Sequence, residues 1–416
     1  MGFVKGMDVS MAKALEAHGA SYNLDGKQDD LFRILKKCGT DMIRLRLWPD
    51  PYDASGAPYG GGNNDLQTTA ELAQRAKSSG MEVLLDFQYS DFWADPAKQI
   101  KPKAWKSLAG KELETAVYLH TRETLKYLKN RGIIPAMVQV GNEITNGFLW
   151  PDGHVKNLAA MAGLLQAGIR AVKEECPEAR IVLHLDFGTD AGLYERWFDA
   201  IEPFDIDYDI IGMSYYPHWN GRLNLLLDNM NRVSQKYGKD VMIAETSIGY
   251  TTDTLGCTGL VFTQELEKNT GYPATEAGQM QFLSDLFEIV RSVSGGHGIG
   301  VFYWEPAWLP IPTCTWANAN GRAYIGVCGS GQFTEYSGHS ITVIDLSGAM
   351  SIAYRADTQG YPQTSGLLTT GYDNYNYIYF LDNYTPGTLR VLRDKEGQTE
   401  ADYATLLQKP FFSSLI

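Results

Sequence analysis

Two glutamates stand where a pair of carboxylates could perform acid and nucleophilic chemistry. Glu143 follows the apolar run MVQV and the pair Gly141-Asn142, and Glu245 follows the apolar run VMIA. Cleavage of a glycosidic bond needs one carboxylic acid to protonate the leaving oxygen. It also needs a second carboxylate, which either attacks the anomeric carbon or directs water onto it. A separation of about 5–5.5 Å between the two carboxyls would predict retention of configuration, and about 6.5–9.5 Å would predict inversion.

Two arginines in an apolar run could tune such a carboxylate. Arg44 and Arg46 alternate with apolar residues in MIRLRLW, so both side chains face the same side of one strand. A buried cation needs an acidic partner. We expect Arg46, nearer the end of the strand, to hold Glu245 ionised and Arg44 to pair with Asp86 or Asp8. The alternative is a purely structural layer of buried ion pairs.

Further polar and aromatic residues follow or end other apolar runs. Asn142 lies beside Glu143, where its amide could bind a sugar hydroxyl next to the scissile bond. Tyr215 and Tyr216 could supply a phenol that orients the nucleophile, and Trp304 could offer a ring face to the sugar. Core packing is the competing interpretation for each isolated aromatic residue.

The elements that must position these residues recur as apolar runs, most of them followed by a segment of helical periodicity. This pattern predicts an α/β fold, a (β/α)₈ barrel with long loops between strands and helices. The predicted strands are Phe3–Asp8, Met42–Trp48, Glu82–Phe87, Ala136–Val140, Arg180–Asp186, Tyr208–Met213, Val241–Glu245 and Ile299–Trp304. The predicted helices include Gln28–Lys37, Thr68–Ser79, Glu112–Asn130, Asn157–Cys176, Leu223–Tyr237 and Glu276–Ser292.

The carboxyl ends of these strands carry most of the polar residues that could act in chemistry. In this kind of barrel the active site lies at that face, so residues far apart in sequence converge there. The residues are Asp8, Arg46, Trp48, Asp86, Asn142, Glu143, Asp186, Tyr215, Tyr216, Glu245, Trp304 and Glu305.

The carboxyl-terminal part of the chain has a different composition. After about residue 313 it is rich in Gly, Asn, Tyr and Thr and lacks clear helical periodicity. We therefore assign residues 1–331 to the catalytic barrel. Residues 332–416 are expected to pack on the barrel or to complete it, with Thr399–Gln408 as the candidate closing helix. Cys314 and Cys328 could form a local disulfide bridge.

Composition restricts the partners of the chain. A formal net charge of −13 over 416 residues argues against nucleic acid, because phosphate binding needs a basic patch. No apolar stretch is long enough to span a membrane. The amino terminus lacks the pattern of a leader peptide. We expect a monomer that is secreted or periplasmic with its leader absent from this chain, and a cytosolic protein is the alternative.

At these residues the sequence resembles the endo-β-1,4-galactanases of glycoside hydrolase family 53. The matching segments are FVKGMDVSM, MIRLRLWPDP, LLDFQYSDFWADP, VQVGNEITNGFLWP, HLDFGTD, GMSYYPHW, MIAETSIGYT and VFYWEPAW, in the same order along about residues 3–330. The resemblance implies that Glu143 is the acid/base and Glu245 the nucleophile of a retaining enzyme. It also implies a groove for the β-1,4-linked galactan of arabinogalactan and pectin.

The resemblance adds candidates for substrate binding. Trp93 and Trp150 fall in motif segments that form loops at the barrel mouth. The predicted substrate-binding set is Asn142, Arg46, Asp86, Tyr216, Trp304, Trp93 and Trp150. Gln88 replaces the histidine that is common in the family, which would change the donor of a sugar contact. No cofactor is expected. Some bacterial members carry a structural calcium, for which no ligands are assigned.

Two other functions stay open from sequence. A mannanase or xylanase of the same clan would share both glutamates, because only groove residues choose the sugar. A catalytically silent barrel that binds carbohydrate is the alternative from a different class, and the presence of both glutamates disfavours it.

Overall fold

The chain forms a closed barrel of eight parallel strands in a computed structural model. The structure describes residues 2–252, 262–309, 311, 314 and 316–325, together with the backbone of 352–353, 356–357 and 366–367. The barrel strands are β1 (Val4–Asp8), β2 (Met42–Leu47), β3 (Glu82–Phe87), β4 (Met137–Val140), β5 (Arg180–Leu185), β6 (Ile210–Ser214), β7 (Asp240–Thr246) and β8 (Gly298–Trp304).

Each strand pairs with its neighbours in sequence, and β8 closes the ring by pairing with β1. The strands are almost entirely buried because helices cover the outer face and side chains fill the interior. The predicted (β/α)₈ fold is therefore confirmed, and all eight predicted strands coincide with observed ones to within two residues at each end.

Helices follow the strands and form the outer layer. They are α1 (Ala12–Ala17), α2 (Leu31–Lys37), α3 (Leu66–Ser78), α4 (Gly110–Lys129), α5 (Leu158–Glu175), α6 (Ala191–Ile201), α7 (Pro217–Asn220), α8 (Leu223–Tyr237), α9 (Gln264–Glu267), α10 (Glu276–Arg291) and α11 (Ala319–Tyr324). The predicted start of α2 at Gln28 is wrong, because Lys27–Asp29 pairs as a short strand with Ser21–Leu24. The Asp30 side chain then accepts from the backbone N–H groups of Phe32 and Arg33 and caps the helix.

The interior of the barrel divides into two layers. The layer toward the amino ends of the strands is an apolar cluster of Val4, Met42, Leu84, Met137, Val182, Ile210, Met242, Ala244 and Phe302. Above it, toward the carboxyl ends, the inward side chains are polar or charged, and alternation along β2 places Arg44 and Arg46 on the same inward face as Met42. The apolar layer stabilises the barrel, and the polar layer leads to the open face.

The carboxyl-terminal predictions fall largely outside the described residues. Ala356–Asp357 pairs in antiparallel register with Ser21 and Tyr22, and Ile352–Ala353 pairs with Gly366–Leu367. The proposed boundary at 331, the candidate helix Thr399–Gln408 and Cys328 lie outside the described part. Cys314 is buried with a free thiol.

Within the described residues, no helix has the length and apolar character needed to cross a membrane. The expected location and the expected monomeric state remain predictions.

Substitution of Leu84 tests how much the apolar layer contributes to the stability of the barrel. Its side chain is fully buried, so Leu84→Ala removes apolar contacts and leaves a cavity. We expect the free energy of unfolding to fall by about 2–5 kcal/mol, measured by denaturant unfolding. Leu119→Ala on α4, where the side chain is 45% exposed, is the control and should change stability little. Equal losses for the two variants would contradict the proposed importance of this layer.

Candidate active site

Glu143 lies just beyond β4, at a sharp turn of the backbone. Gly141 has a φ of 87°, and Glu143 itself has a φ of 46° and a ψ of 52°. The left-handed region costs a side-chain-bearing residue about 1–2 kcal/mol, so the surrounding structure must hold this conformation. A single helical turn, Ile144–Asn146, follows directly. The turn places the carboxyl at the open face of the barrel.

The Glu143 carboxyl is held by β6. Ser214 Oγ donates to Glu143 Oε1 over 2.6 Å. Burial raises the pKa of Glu143 well above its ordinary value, and the negative charges of Glu245 and Asp186 raise it further. The Ser214 hydrogen bond acts in the opposite direction. Glu143 therefore holds a proton at pH values where an exposed glutamate is ionised.

Glu245, on β7, has different neighbours. Arg44 Nη1 lies 2.8 Å from its Oε1, and the Tyr216 hydroxyl donates to its Oε2 over 3.2 Å. Burial raises the pKa of Glu245 above its ordinary value too. The Arg44 guanidinium and the Tyr216 hydroxyl reduce this rise, and the Asp8 charge adds to it. Of the two carboxyls, Glu245 is the better stabilised anion. The predicted contact between a phenol of strand six and this glutamate is formed by Tyr216.

Arg44 joins the carboxylates of three strands. It is 1% exposed, and its guanidinium lies 2.9 Å from Asp8, 3.0 Å from Asp86 and 2.8 Å from Glu245. It also donates to Asn142 Oδ1 over 2.8 Å. The predicted pairing of Arg44 with Asp8 or Asp86 is confirmed for both, and the sequence did not predict the bond to Glu245.

Arg46 does not hold Glu245, and that prediction is wrong. Its Nη1 lies 2.5 Å from Glu305 Oε1 and 3.6 Å from Asp8, and its Nη2 donates to the Gly61 carbonyl over 2.9 Å. Asp8 pairs in register with Arg44 on the neighbouring strand. Arg46 is therefore one pleat further along β2, level with Glu305 just beyond β8.

Three residues of the predicted substrate-binding set are buried in this network. Asp86 is fully buried and bonded to Arg44 and Gln139, and Arg46 is 1% exposed. Asn142 is 4% exposed, and its amide nitrogen donates to the Ala94 carbonyl over 2.9 Å. These contacts fix the floor of the site, and direct contact of the three residues with sugar stays a prediction.

The predicted aromatic platforms occupy two regions. The centroids of the Trp93 and Trp304 rings are 6.3 Å apart. The Arg46 guanidinium lies over the Trp93 ring, 4.5 Å from the ring centroid. Trp150 lies elsewhere, with its Nε1 donating to Asn146 O over 3.0 Å and its ring 5.2 Å from His154. Trp93, Trp150 and Trp304 are partly exposed. The structure brings Trp93 and Trp304 together but not Trp150.

Gln88, which replaces the histidine common in the family, is a buried side chain that bonds two other side chains. Its Oε1 accepts from Trp48 Nε1 over 2.7 Å, and its Nε2 donates to Asp86 Oδ2 over 3.3 Å. The side chain is 3% exposed. Both ends of the amide are therefore engaged by the protein.

Sequence reasoning missed several residues around Glu143. Gln139 and His184 lie behind Ser214, and His218 lies beside Tyr216. The signal that could have found His184 and Ser214 is period-two alternation, because they share the inward face of their strands with Asp186 and Tyr216.

A cavity of about 790 Å³ opens beside Glu143. Trp219 and Phe187 line it and are 54% and 51% exposed. His218 also lines it, is 3% exposed, and has no hydrogen-bond partner at either ring nitrogen among the described residues. The remaining lining residues are Asp95, Pro96, Ala97, Glu143, Asp186, Ser214, Tyr216, Asn220, Leu266 and Asn269.

In the described part of the chain, no group of three or more His, Cys, Asp and Glu side chains could hold a metal ion. Acid and nucleophilic catalysis by a pair of carboxyls requires no cofactor.

Comparison with known proteins identifies the family. The sequence profile of "Glycosyl hydrolase family 53" matches residues 4–347. An endo-beta-1,4-galactanase of Bacillus subtilis (strain 168) is 41% identical over 80% of this chain and 77% of its own. An arabinogalactan endo-beta-1,4-galactanase of Cellvibrio japonicus (strain Ueda107) is 37% identical over 74% of this chain and 81% of its own.

Solved structures agree with this match. The GH53 catalytic domain of Ignisphaera aggregans superposes with a TM-score of 0.76 at 39% identity, over 81% of this chain and 91% of that one. A fungal beta-1,4-galactanase superposes with a TM-score of 0.65 at 32% identity, over 73% of this chain and 90% of that one. Sequence and structure together show that this chain belongs to glycosyl hydrolase family 53 and is a glycoside hydrolase.

Proposed function

We propose that this enzyme cleaves β-1,4-galactosidic bonds within galactan and arabinogalactan chains, with retention of configuration. The observation that carries the chemistry is the pair of carboxyls at the open face, Glu143 just beyond β4 and Glu245 on β7. Glu143 contacts a serine hydroxyl, whereas Glu245 contacts a guanidinium. The names of the family relatives support the choice of galactan.

Glu143 is proposed as the acid/base. It donates its proton to the glycosidic oxygen while the bond from the anomeric carbon to that oxygen breaks. In the second step, the ionised Glu143 takes a proton from water, which attacks the anomeric carbon. The raised pKa of Glu143 supports this assignment, because a general acid must hold its proton at the working pH.

Glu245 is proposed as the nucleophile. Its ionised carboxylate attacks the anomeric carbon, and water later displaces it to regenerate the carboxylate. Arg44 and Tyr216 support the assignment because both stabilise the anion. Ser214 pairs in register with Glu245 and also bonds Glu143, so one backbone position links the two carboxyls. A retaining mechanism is a general property of the clan, which supports retention here.

The cavity beside Glu143 is proposed as the site of the leaving group. The acid must lie next to the leaving oxygen, so the sugar released first occupies the acid's side of the site. Exposed aromatic rings suit the apolar C–H face of a sugar, and Trp219 and Phe187 offer such rings here. The unpartnered nitrogens of His218 could bind a hydroxyl.

The substrate is tested by a reducing-sugar assay of the purified chain on galactan, mannan and xylan. We expect release of short oligosaccharides from galactan and little from the other two polymers. Cleavage of mannan or xylan without cleavage of galactan would show that the enzyme is a mannanase or xylanase. Binding of galactan without any product, unchanged in Glu245→Gln, would instead show a catalytically silent binder.

The two carboxyl roles are separated by substitution. Glu245→Ala should abolish turnover, and added azide should restore part of it as an external nucleophile. Glu143→Ala should reduce cleavage of galactan by about 10²–10⁴-fold, and that of aryl glycosides with good leaving groups far less. Glu288→Ala on α10, a buried glutamate outside the site, is the control and should keep full activity. Equal losses on both substrate types would argue against Glu143 as the acid.

The leaving-group cavity is tested with Trp219→Ala. We expect kcat/KM on galactan to fall by about tenfold, because a ring that stacks on the sugar is lost. Cleavage of an aryl galactobioside should change little, because its leaving group needs no sugar site. Leu225→Ala, an exposed apolar residue that does not line the cavity, is the matched control. A loss of the same size on the aryl substrate would place Trp219 in another role.

A further inference from the structure

A chain of three buried polar side chains lies behind the Glu143 carboxyl. Ser214 Oγ contacts Glu143 Oε1 at 2.6 Å, His184 Nε2 lies 2.9 Å from Ser214 Oγ, and Gln139 Nε2 lies 3.1 Å from His184 Nδ1. The three residues come from β6, β5 and β4, and all are 2% exposed or less. Each contact carries one hydrogen, so the direction of donation along the chain can be worked out from its fixed end.

Arg44 fixes the orientation of the Gln139 amide, which is the end of the chain away from Glu143. Its Nε and Nη2 both lie 3.3 Å from Gln139 Oε1, and a guanidinium can only donate, so this atom is the amide oxygen. The amide nitrogen of Gln139 then faces Asp86 Oδ1 at 2.7 Å and the His184 ring. This nitrogen carries two hydrogens: one goes to Asp86, and the second can go to His184 Nδ1, to Asn142 Oδ1 at 3.0 Å or to the Gly141 carbonyl at 3.1 Å.

Asn142 is the competing neighbour of His184. Its Oδ1 lies 3.1 Å from Nδ1, accepts from Arg44 at 2.8 Å and lies 3.0 Å from Gln139 Nε2. When the second hydrogen of Gln139 goes to His184, Nδ1 is the acceptor. When it goes to Asn142, both lone pairs of Asn142 Oδ1 are in use, and a proton on His184 Nδ1 would lack an acceptor. Both of these arrangements place the ring proton of neutral His184 on Nε2.

His184 is neutral at the site. Burial and the nearby Arg44 charge hold its pKa well below the ordinary histidine value. With its proton on Nε2, His184 donates to Ser214 Oγ. The only hydrogen of Ser214 is then directed to Glu143 Oε1.

We propose that the Gln139, His184 and Ser214 chain places the catalytic proton of Glu143 on Oε2, the oxygen left free for the leaving group. Because Ser214 donates to Oε1, that oxygen acts as an acceptor and the acid's own proton resides on the other oxygen. Ser214 and His184 are thus positioning residues for the acid. The inference rests on the proposed acid role of Glu143, but not on the identity of the sugar.

Ser214→Ala is the first test. We expect turnover of a natural glycan to fall by about tenfold or more, because the proton is no longer confined to Oε2. The alkaline limb of the pH–rate profile should move to higher pH. The reason is that the Ser214 hydrogen bond stabilises ionised Glu143, so its loss raises the pKa of the acid, which must be protonated to act.

The charged or titratable groups that also act on Glu143 or lie in this network are Glu245, Asp186, Arg44, Tyr216, Tyr194, Lys98 and His184.

Two variants serve as controls for this test. Ser214→Thr keeps a hydroxyl and should return the alkaline limb toward its original position. Ser234→Ala removes a buried serine of α8, far from the site, and should leave both the rate and the profile unchanged. A general loss of structure would reduce activity without moving the limb upward. An unmoved limb in Ser214→Ala would overturn the proposal.

The second test reads the tautomer directly. In ¹⁵N-histidine-labelled full-length enzyme, the resonances missing from a His184→Gln variant belong to His184. We expect the chemical shifts of a neutral ring protonated on Nε2. A ring protonated on Nδ1 would overturn the proposal, whatever the activity.

These outcomes differ from failure of the proposed function. If the wild-type enzyme cleaves another glycan, the galactan assignment fails and both tests still apply. If Glu143→Ala shows no dependence on leaving group, the acid role fails, and the proposal about its proton fails with it.

Discussion

The buried guanidinium of Arg44 is the interaction on which the rest of the active site depends. It bonds carboxylates from β1, β3 and β7 while almost completely excluded from water. Removing ions from water costs several kcal/mol each, and only close, well-directed partners offset that cost. The same guanidinium fixes the amides of Gln139 and Asn142. One side chain therefore sets both the charge balance of the site and the direction of its hydrogen bonds.

That charge balance distinguishes the two carboxyls that we propose as catalytic. Glu245 contacts Arg44, whereas Glu143 contacts a serine hydroxyl and is influenced by two neighbouring negative charges. Two glutamates with the same intrinsic pKa are thereby distinguished: burial raises the pKa of both, but only Glu245 has a direct contact with a cation, which reduces the rise. The (β/α)₈ barrel makes this possible because the ends of β4 and β7 open on the same face. The two carboxyls lie at strand ends, whereas Trp219 and Phe187, which line the cavity beside Glu143, are carried by the segments that follow β6 and β5.

Much of the fold, and the position of Glu143 and Glu245 at the open face, was predictable from local patterns. Apolar runs gave all eight strands, and their polar carboxyl ends gave Glu143 and Glu245, because alternation and strand order are written in short stretches of sequence. The helix α6 was absent from the predicted elements. Its segment, Ala191–Ile201, is short, although the Asp190 side chain that accepts from Leu193 N–H is a recognisable cap.

The sequence by itself determined the barrel, the two glutamates and the inward direction of both arginines. Only the tertiary structure decided which arginine holds Glu245. The two lie on the same face of β2, and the choice between them depends on the stagger between strands, which pairs Asp8 with Arg44 and leaves Arg46 level with Glu305. Likewise, His184 and Ser214 are 30 residues apart in sequence and meet only because β5 and β6 are neighbours in the closed sheet. Periodicity is local information, whereas hydrogen bonds across a barrel depend on register and side-chain reach.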